Sequence, residues 1–235
     1  MTPVKLLAAS AVLLASAIST ANAQAPAPQA DPNAPVYVVG YIDVVQAFKA
    51  QAMKLLKQFR VNCAKEDGNQ RCEVAQRMEQ QNEFVALEIW KDQKSFQVHG
   101  AGPGAQLRDT LKPMLGSPYD ERIHTAMSVV PPLPAPAGRI VYAVTHVDVI
   151  PPRLDAAQPL FSDMADASRK DTGNGRIEVL QQLTPRTNHF TIVEIWSNKR
   201  QLEAHQALPR TVQFREKLQA VIGALYDERL YKILD

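Results

Sequence analysis

"FVALEIWKDQKSFQVH", Phe84 to His99, returns as "FTIVEIWSNKRQLEAH", Phe190 to His205, with Phe, Glu, Ile, Trp and His in the same places. "SPYDERIHTAM" (Ser117 to Met127) is answered in the same way by "ALYDERLYKIL" (Ala224 to Leu234). The offset is 106 for the first pair (84 to 190) and 107 for the second (117 to 224). A unit of that length is much longer than a solenoid repeat of ~20–50 residues, so a whole domain has been doubled within one chain.

Each copy reads strand, helix, strand, strand, helix, strand. "VYVVGYIDVV" (Val36 to Val45) and "IVYAVTHVDVI" (Ile140 to Ile150) are β-rich openings. Helices are predicted over Gln46 to Cys63 and Pro152 to Arg169, the second opened by prolines that suit a first turn. Gly-Asn turns lead into second strands, Cys72 to Glu79 and Arg176 to Leu183. Third strands run Phe84 to Trp90 and Phe190 to Trp196, with Asp92 and Asn198 placed to cap the next helices. Those helices should break near "GAGPG" (Gly100 to Gly104) and near Pro209. This is the split βαβ order of an α+β, ferredoxin-like domain, whose antiparallel sheet carries helices on one face only.

Period two in the third strand shows what covers the other face. Val85, Leu87 and Ile89 share one side, and Phe84, Ala86, Glu88 and Trp90 share the other. The second copy sets Thr191, Val193 and Ile195 against Phe190, Ile192, Glu194 and Trp196. Neither side is a solvated polar face, so both need cover. The economical solution packs the two ferredoxin-like βαββαβ repeats sheet to sheet, as an intrachain pseudo-dimeric α/β barrel. Further homo-oligomerisation is left open.

The N-terminal stretch and the joint between the copies read as non-domain sequence. Lys5, the apolar run Leu6 to Ile18 and the small residues Ala21 to Ala23 form a signal-peptide pattern over residues 1–23. Cleavage there would start the mature chain at Gln24 and deliver it to the periplasm or outside. A Pro/Ala-rich leader covers 24–35, and a Pro-rich linker, 131–138, separates domains expected at 36–130 and 139–235. The apolar run is too short to span a bilayer, and no later stretch is long enough. With 26 Lys and Arg against 24 Asp and Glu, nucleic acid and anionic membrane are poor candidates for the main partner.

Cys63 and Cys72 flank one turn of the first copy only, and the second copy has Ser168 and Ile177 in their places. In an exported chain this pair is expected to form a disulfide. No zinc spacing, Walker or Rossmann glycine pattern or Gly-x-Ser-x-Gly occurs, which argues against a metal, nucleotide or flavin site built by such motifs.

Candidate chemistry lies on the repeated residues. Glu88 and Glu194 share a strand face with Phe and Trp, where a carboxylate is either paired with Arg or desolvated with a raised pKa suited to proton transfer. Asp43 and Asp148 close the first strands and are expected to cap the following helices. The matching Tyr-Asp-Glu-Arg segments read as edge-region strands with structural charges. A Trp at a strand end is also what a core plug looks like, and duplication alone would repeat it.

Glu-Ile-Trp at the end of strand three, with a His nine residues after the Trp, resembles the antibiotic biosynthesis monooxygenase (ABM) domain of the dimeric α/β-barrel superfamily. The resemblance covers both copies, Val36 to Met127 and Ile140 to Leu234. It implies an oxygenase that needs no cofactor and joins dioxygen to a small aromatic or quinol-type molecule. It implies that Trp90, His99, Trp196 and His205 line the substrate cavity, with His99 or Glu88, and in the second copy His205 or Glu194, as the catalytic base; Tyr41, His146, Phe84 and Phe190 are further candidate substrate contacts. Haem-degrading members use an asparagine on strand one, where this chain has Tyr41 and His146, so haem oxygenation is the weaker implication. A non-catalytic carrier of haem or another hydrophobic ligand is the rival from a different class.

Overall fold

The computed structural model describes residues 31–131 and 139–234. The expected signal peptide, all but the end of the expected leader, and nearly all of the linker lie outside the described residues. The first half runs β1 (Val36–Asp43), α1 (Lys49–Cys63), β2 (Asn69–Arg77), β3 (Glu83–Trp90), α2 (Gln93–Ala101), α3 (Pro103–Leu111) and β4 (Asp120–Ser128). The second runs β5 (Val141–Asp148), α4 (Leu154–Ser168), β6 (Asn174–Gln182), β7 (His189–Trp196), α5 (Lys199–Gln206), α6 (Pro209–Gln219) and β8 (Asp227–Ile233). No helix among the described residues is long and apolar enough to cross a membrane.

The strands close into one barrel in the order β1-β3-β2-β8-β5-β7-β6-β4. The halves are joined by two hydrogen-bonded seams, β2 with β8 and β4 with β6, as well as by packed faces. Four antiparallel steps separate β1 from β5 in either direction, so these strands run parallel on opposite walls. The repeats are therefore related by rotation about the barrel axis. Closure also corrects the expectation that the Tyr-Asp-Glu-Arg segments form edge-region strands. β4 pairs with both β1 and β6, and β8 with both β5 and β2, so neither has a free edge.

Alternation sorts the side chains as the third strand predicted. Odd-numbered residues of β1 and β3, with their counterparts, fill the barrel: Val39, Val85, Leu87 and Ile89 meet Val144, Leu180, Val193 and Ile195. Even-numbered residues face outward under the helices, where Val38, Phe84 and Trp90 pack with Leu56, Phe59 and Leu111. In the matching layer of the second half, Ala143, Phe190, Ile192 and Trp196 pack with Phe161, Leu202 and Phe214.

At the end of the barrel where β2 and β6 begin, the apolar filling gives way to four charges. Arg71 donates to both oxygens of Glu178 at 2.7 and 2.6 Å, and Arg176 donates to both oxygens of Glu73 at 3.2 and 2.6 Å. Each pair crosses between the halves, and the Arg176 and Glu178 side chains are only 6% and 2% exposed.

Local signals behave as read at the second helix of each half. Asp92 accepts from the Ser95 N–H at 2.7 Å and Asn198 from the Gln201 N–H at 3.0 Å. Gly68 and Gly173, at φ 79° and 83°, supply the left-handed residue of each turn before β2 and β6. The expected capping role of Asp43 and Asp148 is corrected. Their carboxylates accept from the Asn82 and Asn188 side-chain amides at 3.1 and 2.9 Å, tying β1 and β5 to the neighbouring hairpin turns. A short 3-10 turn precedes α1 (Gln46–Phe48) and α4 (Pro151–Arg153), and each strand ends two residues short of that turn's N-cap, Val45 or Ile150, so the aspartate is not at the capping position.

Cys63 and Cys72 form a disulfide, with Cα atoms 6.0 Å apart, linking the end of α1 to β2. Closing a loop of this length contributes ~2–3 kcal/mol in the chain-entropy account. Reduction of the folded protein is expected to lower the unfolding free energy in urea by that amount without changing the fold. Equal midpoints with and without reductant would remove the stabilising role.

Candidate functional site

The repeated Glu, Trp and His come together beneath the helices, once in each half. In the first, Glu88 and Trp90 point outward from β3, and the Trp90 indole N–H donates to Glu88 at 2.9 Å. His99, from the last turn of α2, lies flat on the indole with ring centroids 4.5 Å apart. Its Nε2 is 3.5 Å from Glu88, and its Nδ1 is 2.9 Å from Glu66 in the turn after α1. Trp90, His99 and Glu88 are 0%, 3% and 4% exposed. The break between α2 and α3 explains the tightness: a Cβ on Gly104 would lie 2.7 Å from His99 Nε2.

The second half repeats this with different outer partners. Trp196 donates to Glu194 at 2.8 Å, His205 Nδ1 is 2.8 Å from Asp171, and the two rings lie 4.7 Å apart. Arg210, standing where the first half has Gly104, pairs with Asp171. Burial raises the pKa of Glu88 against the opposing pull of His99 and the indole N–H. Burial likewise pushes Glu194 up to about 7. Each cluster is therefore a dry carboxylate linked to an indole, with an imidazole and a second carboxylate leading outward.

A different set of residues surrounds a cavity of about 280 Å³ on the barrel axis, at the end where β1 and β5 finish. Its walls include Tyr41, Phe84, Arg122, His146, Arg229 and Tyr231, drawn from both halves. Tyr41 lies beneath two guanidiniums, those of Arg122 at 4.7 Å and Arg229 at 5.6 Å from its ring centre. Each arginine is held by the aspartate two residues earlier on its strand, Asp120 at 2.6 Å and Asp227 at 2.7 Å. Behind His146, its Nε2 is 3.1 Å from His189 Nδ1, and His189 Nε2 is 3.5 Å from Asp148. Burial and the Arg122 charge lower the His146 pKa to about 4, and burial raises Tyr41 to about 12.

The sequence-derived residues therefore divide. His99, Glu88 and Trp90 meet in one closed cluster, and His205, Glu194 and Trp196 in another. Tyr41 and His146 border the axial cavity, whereas Phe84 meets it only along β3 and packs its ring under the helices with Trp90 and Leu56. Phe190 joins neither, packing on Phe161 at 4.7 Å beneath α4. Sequence reasoning missed Arg122, Arg229 and His189 as cavity-side groups, and Glu66 and Asp171 as partners of the histidines. A period-two count along β4 and β8 would have set Arg122 and Arg229 on the inward face.

Comparison with known proteins agrees with this architecture. The family model for antibiotic biosynthesis monooxygenase matches residues 35–106 and again 140–217. A candidate monooxygenase of Fusobacterium nucleatum superposes with a TM-score of 0.76 at 11% identity, over 86% of this chain and 93% of its own. One from Lactobacillus acidophilus gives 0.70 at 10% identity, over 86% and 95%. An anthrone oxidase-like protein gives 0.65 at 15% identity, over 85% and 91%. No curated protein matches the sequence. Those structural likenesses bear on the fold, whereas the two family matches cover each half in turn: the chain belongs to the antibiotic biosynthesis monooxygenase family, with two ABM domains in tandem.

Proposed function

We propose that this protein is an exported monooxygenase that oxidises a small aromatic or quinol-type molecule with dioxygen and without a cofactor. The observation that carries the proposal is the path Glu88–His99–Glu66, which runs from a buried carboxylate through an imidazole to a partly exposed one. Oxidation of a phenol begins with loss of its hydroxyl proton, and such a path accepts that proton in dry surroundings and passes it outward. The electron-rich anion then reduces dioxygen. One oxygen atom replaces a ring C–H to give a quinone, and the other leaves as water, so the substrate supplies all the electrons. Trp90 and Trp196 would offer a stacking plane for the ring, reached by displacement at the α2–α3 and α5–α6 elbows. The disulfide supports the export part of the proposal, because such bonds persist in oxidising compartments.

Haem, the rival ligand, suits these residues poorly as they stand. Both nitrogens of His99 face carboxylates, and its ring packs against Trp90 and Phe59.

Oxygen uptake with small phenols and quinols, with labelled dioxygen followed into the product, tests the proposal. Loss of a general base costs ~10²–10⁴-fold in rate. The double variant His99→Gln, His205→Gln is therefore expected to be at least ~100-fold slower while keeping the native circular dichroism. Full activity in a folded double variant would overturn the role given to the clusters, and absence of uptake by the unaltered protein would overturn the function.

A further inference from the structure

We infer that this protein associates with copies of itself head to tail, α1 of one molecule docking against α4 of the next. This association does not depend on the oxygenase reading, and it uses faces that neither the clusters nor the barrel needs.

The two helices are the same element of the two copies. Each is 15 residues long, and an offset of 105 (49 to 154) aligns their buried positions: Ala52, Leu56, Phe59 and Cys63 with Ala157, Phe161, Met164 and Ser168. On the outer side of α1, Ala50, Met53, Lys54, Lys57, Gln58 and Val61 line a shallow groove. Their spacing of three and four residues makes them one stripe along the helix. Val61 is 43% exposed there, and Phe48, just before the helix, 38%. Helix α1 carries Lys49, Lys54, Lys57 and Arg60 and no acidic residue.

At the same offset the stripe on α4 reads Asp155, Gln158, Pro159, Ser162, Asp163 and Asp166. Helix α4 carries those three acids and no basic residue. Duplication starts from two identical faces, and faces of one sign repel each other. Here the equivalent positions have taken opposite signs, which is the pattern that a contact between copies requires. Met53 and Val61 on one stripe and Pro159 on the other supply apolar surface between the charges. Asp166 is held by Arg169 at 2.6 Å, and the nearby Arg210 by Asp171. Arg153 precedes the α4 stripe, and Lys217 of α6 flanks it beside Asp163. Lys54, Lys57, Asp155 and Asp163 have no ion-pair partner among the described residues.

The barrel dictates the kind of assembly. The rotation that relates β1 to β5 sets α1 and α4 on opposite walls, so one neighbour cannot meet both. The contact is therefore heterologous, and it repeats into a ring or an open row. One helix against one helix makes a small interface, so the association is weak and grows with protein concentration and falling salt.

Sedimentation velocity of the intact protein, between about 20 mM and about 500 mM salt, tests this. At low salt, species larger than the monomer should form and grow with concentration; at high salt they should disperse. Lys54→Glu with Lys57→Glu, and separately Asp155→Lys with Asp163→Lys, should each weaken association at least ~10-fold, because both stripes then carry one sign. Circular dichroism checks that each variant keeps the native fold. An equimolar mixture of the two double variants should recover the association, since each offers the sign that the other lacks. A monomer at every salt concentration, association that either reversal leaves intact, or a mixture that stays monomeric would overturn the pairing. A monomer that binds phosphatidylglycerol vesicles through Lys54 and Lys57 would also overturn it, and give α1 an anionic surface as its partner instead.

Discussion

Expressed alone, residues 36–130 or 139–234 are expected to dimerise or to fail to fold, and not to persist as a folded monomer. Each half would expose the inward face of its sheet, with Val39, Val85, Leu87 and Ile89 in the first and Val144, Leu180, Val193 and Ile195 in the second. At ~1.5–3 kcal/mol for each fully buried aliphatic side chain, four such residues match a typical total stability of ~5–15 kcal/mol. β2 and β4, or β6 and β8, would also lose a hydrogen-bonded neighbour. The charges favour the dimer: Arg71 and Glu73 of one copy can meet Glu73 and Arg71 of another as they meet Glu178 and Arg176 here. Sedimentation with circular dichroism decides it. A monomeric half with native secondary structure would show that barrel closure is dispensable.

Glu178→Gln is expected to destabilise the intact protein by ~3–5 kcal/mol, because it leaves the Arg71 guanidinium buried without its two-oxygen partner. For a chain of this size that corresponds to a fall of roughly 6–20 °C in melting temperature. The double change Arg71→Met, Glu178→Leu should recover most of the loss, since apolar groups of similar volume tolerate burial without pairing. If Glu178→Gln melts within a degree or two of the unaltered protein, the crossing pairs do not hold the halves together. A recovered double variant would show that the pair adds little net stability over apolar filling of the same space.

Most of the fold was legible because it rests on short-range periods. Alternation in "FVALEIW" placed Val85, Leu87 and Ile89 inward and Trp90 outward, and the repeat said that one sheet would cover the other. Asp92 and Asn198 were readable as caps from their position before a helical stretch. Asp43 and Asp148 were not, because a shift of one or two residues in a strand end decides whether a side chain caps or faces the barrel. The two Glu, Trp and His clusters were readable as sets, but their tight packing was not: it depends on Gly104 bringing the α3 backbone onto His99. The axial cavity was the least legible part. Tyr41, Arg122, His146 and Arg229 come from four strands far apart in the chain, and only closure of the barrel brings them to one point.

The facing of Tyr41 by His146 across the barrel axis also bears on how this molecule can evolve. In a homodimer, every mutation at an axial position appears twice, so a histidine acquired there would face another histidine, with its charge and bulk. Any useful lopsidedness would be out of reach of a single substitution. Once both copies are inherited in one gene, each wall drifts and is selected alone. A codon change can then test an acid, a base or a ring on one side while the other keeps its neighbour in place. The same freedom allows one copy to carry a cross-link, or to lose an ancestral role, without imposing that change on its twin.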